Sequence, residues 1–385
     1  MQIVKTTDSL ADPCDRLSNH SYVTIDTEFL RESTFWPELC LVQIASDDEA
    51  AIIDPLENGI ELKPLFDLMQ NQNVLKVFHA GRQDLEIFHH LSGDVPKPIF
   101  DTQVAAMVCG YGESVGYDTL VAKITGVGID KSSRFTDWSR RPLTDRQLEY
   151  AQADVTHLRD VYANLKNNLE STGRADWLTS EMKVLESPDT YFIPPENAWK
   201  RIKARTNKPR LLAILQSIAA WREKQAHIQN IPRNRVIRDE ALLEIAANPP
   251  RNAEKLSHVR GIGKKFAEGK MGIGLLAAIE QGRATPEKEC PIVPQKSHLP
   301  KGLGPLMDLL RVLLKTRCEE NDVAQKLICN TSDLEKIAAD SGADVPALKG
   351  WRYEVFGKDA LALKDGKIAF TADNNKIRII DLQQS

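Results

Sequence analysis

The segment Tyr22–Phe29 most constrains the fold, because its apolar and polar residues alternate as they do in a β-strand. This alternation predicts that Asp26 and Glu28 project from one face, with Val23 and Ile25 on the other. Acids are depleted in strands, and two neighbouring carboxylates repel each other unless they are protonated or bridged by a cation. The pair therefore indicates either a cation site or a solvated strand end.

The first 170 residues alternate between strand patterns and helix patterns, which predicts an α/β fold. The strand candidates are Tyr22–Phe29, Leu39–Ala45, Ala50–Ile53 and Val74–His79. The helix candidates are Leu62–Gln70, Gln83–His90, Thr102–Val108, Thr119–Ile124 and Asp145–Asn168. Because short connections join the first three strands, we expect an antiparallel meander, extended into a mixed sheet by strands that follow helices.

Charge is unevenly distributed along the 385 residues. The net charge is −15 for residues 1–199 (17 basic, 32 acidic), +11 for residues 200–288 (19 basic, 8 acidic) and zero for residues 289–385 (14 of each). The basic middle indicates affinity for polyanions. If the acidic residues 1–199 act on a polyanion, cations are needed between the protein and the polyanion, because both are negatively charged.

Composition and local patterns exclude several classes of protein. The N-terminal residues show no apolar run typical of an export signal, and nowhere do about 18 apolar residues follow one another. We therefore predict a cytoplasmic protein without a membrane span. The six cysteines are scattered without zinc-type spacing, which predicts reduced thiols and no zinc site.

Two glycine-containing segments resemble catalytic motifs without meeting their requirements. Gly112–Gly116 has the GxSxG pattern, but a helix rather than a strand precedes it, so it does not predict a serine hydrolase. Gly263–Lys270 lacks the P-loop spacing and its magnesium-binding hydroxyl, so no nucleotide cofactor is predicted. The turn Gly261–Gly263, followed by Lys264 and Lys265, is typical of a phosphate-binding turn or of a plain turn between helices.

Two further acids, a histidine and a tyrosine lie near predicted helix starts. Asp84 falls in the first turn of the helix after the strand Val74–His79, where the helix dipole favours a carboxylate. His79 itself is either a core histidine or a substrate contact. Tyr150 and Asp154 are four residues apart on the last predicted helix, so they share one face.

The four acids Asp26, Glu28, Asp84 and Asp154 form a ligand set without His or Cys. Oxygen ligands of this kind suit Mg²⁺ or Mn²⁺ rather than zinc. Four carboxylates can hold two such ions, which together stabilise the attacking and leaving oxygens of a phosphodiester displacement. The set therefore predicts two divalent metal ions as cofactors.

Proline-rich segments divide the chain into parts. The catalytic candidates lie in residues 1–170, and a linker at residues 171–206 precedes a basic helical module at residues 207–288. A second, proline-rich linker at residues 289–301 precedes a helical region at residues 302–385. We predict two small all-α bundles in tandem after the α/β domain.

The patterns Asp-x-Glu, His-Ala-Gly-x-x-Asp and Tyr-x-x-x-Asp resemble the three exonuclease motifs of the tyrosine branch of the DEDD superfamily. Residues 1–170 also resemble the ribonuclease D family at Phe29, Thr34–Pro37, Leu41–Ile44, Ile53–Leu56, Asp101–Thr102, Asp130–Lys131, Asp137–Trp138 and Arg141–Leu143. The basic module resembles the helicase-and-RNase-D C-terminal (HRDC) domain through Trp221–Arg222, Ala226, Pro232 and Gly261–Gly263. The segment Gly350–Gly357 is similar to the end of bacterial ribonuclease D.

This resemblance implies a ribonuclease-H-like exonuclease domain followed by two HRDC-type bundles. It implies a monomeric 3′→5′ exoribonuclease that releases 5′-mononucleotides and trims the 3′ ends of structured RNAs, tRNA precursors foremost. Asp26, Glu28 and Asp154 would hold one metal ion, and Asp26 with Asp84 a second. Tyr150 would position the attacking water.

Contacts with the substrate are expected from Phe29, His79, Trp138, Lys264 and Lys265. A DNA exonuclease of the same superfamily is one alternative function. A catalytically silent RNA-binding protein is another, although the intact set of four acids and one tyrosine argues against it.

Overall fold

The computed structural model describes residues 2–292, 300, 302–374 and 376–382. Most of the predicted proline-rich linker, residues 293–299 and 301, lies outside the described residues. None of the described helices combines the length and the apolar character needed to cross a membrane. All six cysteines are free thiols.

A six-stranded mixed sheet forms the centre of residues 1–170. Its strands are β1 (Gln2–Val4), β2 (Tyr22–Leu30), β3 (Glu38–Ala45), β4 (Ala50–Ile53), β5 (Leu75–Phe78) and β6 (Ile99–Asp101). Their spatial order is β1-β4-β3-β2-β5-β6, with β2, β3 and β4 antiparallel and the other pairs parallel. The predicted meander and mixed sheet are confirmed, whereas the three-residue strands β1 and β6 are too short for a periodic signal.

The helices of this part cover the sheet and follow the predicted pattern to within a few residues. They are α1 (Thr7–Leu17), α2 (Lys63–Gln70), α3 (Arg82–Ser92), α4 (Thr102–Val108), α5 (Tyr117–Thr125), α6 (Asp145–Ser171) and α7 (Thr179–Glu186). Capping boxes at Thr6 and Thr144 satisfy the free amides that begin α1 and α6. Of these helices, α1 and α7 have no counterpart in the sequence prediction.

Helix α6 is anchored to the sheet beside the strand that carries two of the predicted site acids. The buried hydroxyl of Thr24 on β2 donates a hydrogen bond to the carbonyl of Val155 on α6, at 2.8 Å. Because this bond joins a side chain of β2 to the backbone of α6, it fixes both the position of α6 along β2 and the distance between the two. This anchor brings the acid of α6 to the acids of β2.

The HRDC-like module has an apolar core of its own. Its helices are α8 (Pro209–Gln229), α9 (Arg233–Val236), α10 (Asp239–Ala247), α11 (Ala253–Ser257), α12 (Lys264–Glu268) and α13 (Lys270–Ala284). A Cβ atom on Gly282 would lie 2.6 Å from the Cα of Ile214, so glycine is needed where α8 and α13 pack. Phe35, from the loop between β2 and β3, is buried in this core and joins the module to the nuclease part.

The C-terminal part packs against the nuclease part and shares its apolar cluster. Its elements are α14 (Gly304–Glu320), α15 (Gln325–Ile328), α16 (Thr331–Ala339), α17 (Gly350–Arg352), a π-helical turn at Tyr353–Gly357, α18 (Lys358–Lys364), β7 (Ile368–Asp373) and β8 (Lys376–Asp381). Ala324 N–H donates to the Met107 carbonyl at 2.9 Å, and the Trp351 ring stacks on Trp177 with centroids 4.2 Å apart. The hairpin of β7 and β8 is absent from the sequence prediction, and the predicted domain bounds stay predictions.

Candidate active site

A cavity of about 430 Å³ lies where β2 extends beyond β5. β5 pairs with β2 only as far as Thr24, so side chains from both faces of Asp26–Phe29 line this cavity. A register shift between Glu28 and Phe29 turns the strand at the same point. We call this space the acidic cavity after the carboxylates that line it, which are Asp26, Glu28, Asp84, Asp118 and Asp154.

Three of the predicted acids converge on one point. Asp26 and Glu28 from β2 and Asp154 from α6 each offer one carboxylate oxygen, and these oxygens all lie within 4.8 Å of one another. Clustered oxygen donors fit Mg²⁺ or Mn²⁺, and the described part of the cavity wall contributes no cysteine that would favour zinc. The donor set therefore fits a divalent cation.

Asp84 lines the same cavity but stands apart from this trio. It lies in the first turn of α3, and its carboxylate accepts a hydrogen bond from the hydroxyl of Thr27. The charge of Asp84 also contributes to the raised pKa values of Asp26 and Glu28, so Asp84 lies near the trio. The four predicted acids thus share one cavity, with one of them held separately.

A buried carboxylate that the sequence analysis quoted for the family resemblance, but gave no role, shapes the turn before α3. The Asp101 carboxylate accepts hydrogen bonds from the amides of Ala80 and Gly81 at 3.1 and 2.9 Å, and it also caps α4. Ala80 has a φ of +55°, and a Cβ on Gly81 would lie 2.5 Å from the Cβ of Phe78. Asp101 thereby holds a strained turn that presents His79 and the start of α3 to the cavity. Its position directly after a strand and before a helix was the available signal.

The four predicted acids of the acidic cavity have raised pKa values, whereas a hydrogen bond with Lys131 lowers the pKa of Asp118. Burial is the largest cause, and repulsion by neighbouring acids adds to it for Asp26, whose pKa is well above its usual range. The pKa of Glu28 is raised to about 9, mainly by burial and then by Asp154 and Asp84. Burial raises the pKa of Asp154 to about 7 and that of Asp84 to about 6. A cluster that resists ionisation in this way favours a bound cation, which would stabilise the ionised carboxylates.

Tyr150 and Trp138 have different positions relative to the cavity. Tyr150 lines it one helical turn before Asp154, and burial followed by repulsion from that carboxylate raises the pKa of its phenol. The Trp138 ring packs 6.0 Å behind the Tyr150 ring and is 2% exposed. The Trp138 side chain is therefore buried against Tyr150 and is not part of the described cavity wall, and its expected contact with substrate stays a prediction.

Phe29 and His79 both line the acidic cavity, as expected of substrate contacts. His79 Nδ1 lies 2.9 Å from the Thr102 hydroxyl oxygen, which fixes the ring. Burial lowers the pKa of His79, so the imidazole is neutral near pH 7. Both side chains can contact a nucleotide, although their contribution to binding stays a prediction.

The loop between α5 and α6 adds residues to which the sequence analysis gave no role in the site, although Lys131 is among those that carry the family resemblance. Lys131, Arg134 and Phe135 line the cavity, and the positive charge of Arg134 lowers the pKa values of Glu28 and Asp154 against the effect of burial. Phe135 is 89% exposed, with the Arg134 guanidinium 5.2 Å from its ring centroid. The interleaving of basic and aromatic residues in this loop is the signal that could have identified it.

Lys264 and Lys265 lie at the start of α12 in the HRDC-like module, where both are exposed. Within the described part of the chain, the wall of the acidic cavity does not include them. Lys264 makes a 3.8 Å ion pair with Glu268 on its own helix. Any contact between these lysines and a nucleic acid is therefore separate from the acidic cavity.

Comparison with known proteins places these features in a family. Residues 1–170 match the family model described as a 3′-5′ exonuclease, and residues 212–279 match that of the HRDC domain. Proteins named ribonuclease D from Nitrobacter hamburgensis and Granulibacter bethesdensis are 52% and 50% identical to the chain. Each alignment covers 98% of this chain, with 98% of the first relative and 96% of the second.

A solved structure agrees with these relatives. The crystal structure of Escherichia coli RNase D, described as an exoribonuclease involved in structured RNA processing, has a TM-score of 0.80 to this chain. The two are 30% identical, and the match covers 95% of this chain and 98% of that one. The likeness therefore extends through the catalytic and helical parts together. The chain belongs to the ribonuclease D family of 3′–5′ exoribonucleases.

Proposed function

We propose that the chain removes mononucleotides from the 3′ ends of structured RNAs, tRNA precursors foremost, and that the acidic cavity carries out the hydrolysis. The convergence of Asp26, Glu28 and Asp154 within 4.8 Å supports this assignment most strongly. A set of buried acids with raised pKa values costs stability unless it serves a cation. A phosphodiester is an anion, so a cation-loaded cavity accepts it more readily than an empty one.

The residues that would hold the metals follow from the positions of the acids. Asp26, Glu28 and Asp154 would hold one Mg²⁺ or Mn²⁺, and Asp84 in the same cavity would help Asp26 to hold a second. Bound divalent cations supply a water of lowered pKa and neutralise charge on the phosphate. The hydrogen bond from the Thr27 hydroxyl keeps the Asp84 carboxylate oriented.

Tyr150 acts as a hydrogen-bonding group that orients the attacking water. An ordinary phenol is only about one thousandth ionised at pH 7, and burial beside acids raises the pKa of Tyr150 further. The Tyr150 Oη therefore keeps its proton and cannot serve as the base. The Trp138 ring behind it limits the movement of the phenol.

Four other side chains complete the binding of the terminal nucleotide. Phe29 and the exposed ring of Phe135 offer apolar surfaces for a base, and stacking of a base on an aromatic ring contributes about 1–3 kcal/mol. Arg134 supplies positive charge at the same wall. Because its imidazole is neutral, His79 contacts the nucleotide without adding a charge.

The HRDC-like module binds the body of the RNA. Residues 200–288 carry the +11 charge, whereas the nuclease part is acidic and repels a polyanion outside its cation site. Lys264 and Lys265 stand exposed after the turn Gly261–Gly263, in reach of a phosphate group. A monomeric state and a cytoplasmic location remain predictions from sequence.

One assay tests the proposal. RNA and DNA oligomers of the same sequence, labelled at the 3′ or the 5′ end, are incubated with Mg²⁺, Mn²⁺ or EDTA. We expect a 3′ label to appear at once as a mononucleotide, a 5′ label to appear in a ladder of shortening products, and EDTA to stop both. Internal cleavage, or full activity in EDTA, would overturn the proposal. Equal rates on RNA and DNA would favour the broader alternative of a nuclease that acts on both.

A further inference from the structure

Two adjoining cavities lie between the nuclease part and the HRDC-like module. Their volumes are about 230 and 450 Å³, and both are lined by Arg31, Phe35, Arg201 and Arg233. Arg82 lines the first cavity and Arg222 the second. We call the two together the arginine cavity.

The walls of this space are held in place by contacts between the two parts. The side-chain oxygen of Asn230, at the end of α8, accepts hydrogen bonds from the amides of Phe35 and Trp36 at 3.2 and 3.0 Å. The Trp36 ring stacks on His90 of α3 with centroids 4.1 Å apart. The cavity therefore lies at a fixed junction and not at a loose surface.

Two of the arginines are already neutralised by glutamates. Arg31 donates to both oxygens of Glu86 at 2.7 and 2.8 Å, and Arg233 donates to both oxygens of Glu223 at 2.5 and 2.6 Å. The guanidinium of Arg233 also lies 4.4 Å from the centroid of the Phe35 ring. These pairs fix the cavity wall and use both glutamates that line the smaller cavity.

Three guanidinium groups retain unused donors. Arg82 has a single bond, at 3.4 Å to the Thr190 carbonyl, and Arg201 has no hydrogen-bond or ion-pair partner anywhere in the described ranges. Burial and then the charge of Arg233 lower the pKa of Arg201. Arg222 is 4% exposed and already donates through Nη1 to the Ile237 carbonyl and to Asp239 at 2.9 and 2.7 Å, so that only its buried Nε atom lacks a partner among the described residues. Arg82 and Arg201 are exposed and have no ion pair among the described residues, so their guanidinium forks can donate to an anion in this space.

The arginine cavity and the acidic cavity are built on the same two elements. β2 carries Glu28 and continues to Arg31 beyond its end, which is about 10 Å further at the usual strand rise. The first turns of α3 carry Arg82 and Glu86 on either side of Asp84. A strand of nucleic acid whose end lies in the acidic cavity can therefore reach the arginines within a few nucleotides.

We propose that the arginine cavity binds phosphodiester groups of the RNA strand whose 3′ end occupies the acidic cavity. The inference rests on the function proposed above. Arginine suits this role because its planar fork donates two parallel hydrogen bonds to a phosphate. The exposed ring of Phe192 in the same wall offers a surface for a base. Phosphates held here direct the strand towards the basic module.

Removal of the two unpaired positive charges tests the proposal. The double variant Arg82→Gln with Arg201→Gln loses two charges and breaks no ion pair among the described side chains. Affinity for a 5′-fluorescent single-stranded RNA of about 12 nucleotides is measured by anisotropy in EDTA at several salt concentrations. We expect Kd to rise at least about tenfold and the salt slope to fall by about 1.4, since each phosphate contact with a single strand contributes about 0.7.

A matched control has the same charge change outside the cavity. Lys203→Gln with Arg205→Gln removes two exposed charges from the adjoining segment, and neither residue lines the arginine cavity. We expect this control to retain most of the affinity of the unaltered protein. Equal losses in both double variants would reduce the arginines to a general basic field, and unchanged affinity in the first would rule out phosphate binding.

A dinucleotide separates failure of this inference from failure of the proposed function. It fills the acidic cavity alone, so the arginine double variant should hydrolyse it with Mg²⁺ at the rate of the unaltered protein. If the unaltered protein does not hydrolyse any RNA, the proposed function fails. If it hydrolyses both substrates and the double variant binds the longer RNA normally, only the arginine cavity is wrong. A second double variant, Arg82→Gln with Arg201→Lys, keeps the charge at position 201 but loses the planar guanidinium fork. Compared with the Gln double variant, it should recover only part of the lost affinity.

Discussion

The acidic cavity and the arginine cavity lie on the same strand and the same helix, yet their chemistry is opposite. The first gathers carboxylates whose pKa values are raised, and the second gathers guanidinium groups with unused donors. One needs cations to become stable, and the other needs anions. The difference teaches that a site for cleavage and a site for binding of a polyanion can lie about three residues apart in sequence, at Glu28 and Arg31. This separation requires that different neighbouring elements line each cavity.

The proposed contrast between a catalytic acidic cavity and a binding arginine cavity depends first on the acidic cavity being catalytic. Asp26→Asn or Asp154→Asn removes one ligand from the carboxylate trio, which should lower kcat at least about 10³-fold through loss of transition-state stabilisation. Single-turnover cleavage of RNA with Mg²⁺ gives the rate. Near-normal turnover by Asp26→Asn would show that the metal assignment is wrong.

Tyr150 tests whether the acidic cavity needs more than its carboxylates. Tyr150→Phe should lower kcat about 10²-fold, because it removes one orienting hydrogen bond and no metal ligand. Affinity for RNA and for Mn²⁺ should stay unchanged, which a binding titration checks. An unchanged kcat would make Tyr150 a packing residue, like the Trp138 ring behind it.

The pH dependence of stability distinguishes the two cavities without any activity measurement. Glu28, Asp154 and Asp84 have folded-state pKa values of about 9, 7 and 6, above the values near 4 expected in the unfolded chain. The folded protein therefore binds more protons, and its stability should fall as pH rises from about 4 to about 9. We expect Tm in EDTA to be lower at pH 8.5 than at pH 6, and Mg²⁺ to raise Tm more at pH 8.5.

The variant Glu28→Gln should flatten this profile, since it removes a carboxyl whose folded-state pKa is raised to about 9. Arg82→Gln serves as the control, because it alters the other cavity and should leave the profile unchanged. A profile in EDTA that is flat in the unaltered protein would contradict the electrostatic description of the acidic cavity.

The smallest expected effect concerns the HRDC-like module. Lys264→Glu with Lys265→Glu should weaken binding of tRNA-sized RNA several-fold and make its salt dependence shallower, with short strands unaffected. Anisotropy titrations with both RNAs give the comparison. Equal affinity for the long RNA would leave the turn Gly261–Gly263 as a plain connection between helices.

Sequence reasoning predicted the acidic cavity better than the arginine cavity, for a physical reason. Asp26, Glu28, Asp84 and Asp154 lie on elements with clear periodicity, and α6 begins at a capping box that fixes which face Asp154 occupies. The arginine cavity instead joins Arg31 and Arg82 to Arg201 and Arg233. These pairs are brought together only by the packing of two parts, which local periodicity does not encode.

Other differences follow from elements that are too short or too exposed to leave a pattern. The hairpin of β7 and β8 lies in a region where helical patterns dominate the sequence, and its strands are largely exposed. Trp138 was expected to contact the substrate, and only the folded chain shows that its ring is buried against Tyr150, which lines the cavity. Phe135 is the converse case, because its exposure is visible only in the folded chain.

The separation of cleavage from binding is tested most directly by one paired measurement. Single-turnover cleavage at saturating protein and RNA affinity in EDTA are determined with one RNA of about 12 nucleotides, for Asp26→Asn and for Arg82→Gln with Arg201→Gln. The account predicts that the first variant loses cleavage and keeps affinity, whereas the second loses affinity and keeps cleavage. If either variant lost both, or if the two losses were exchanged, the account of two separate cavities would be contradicted.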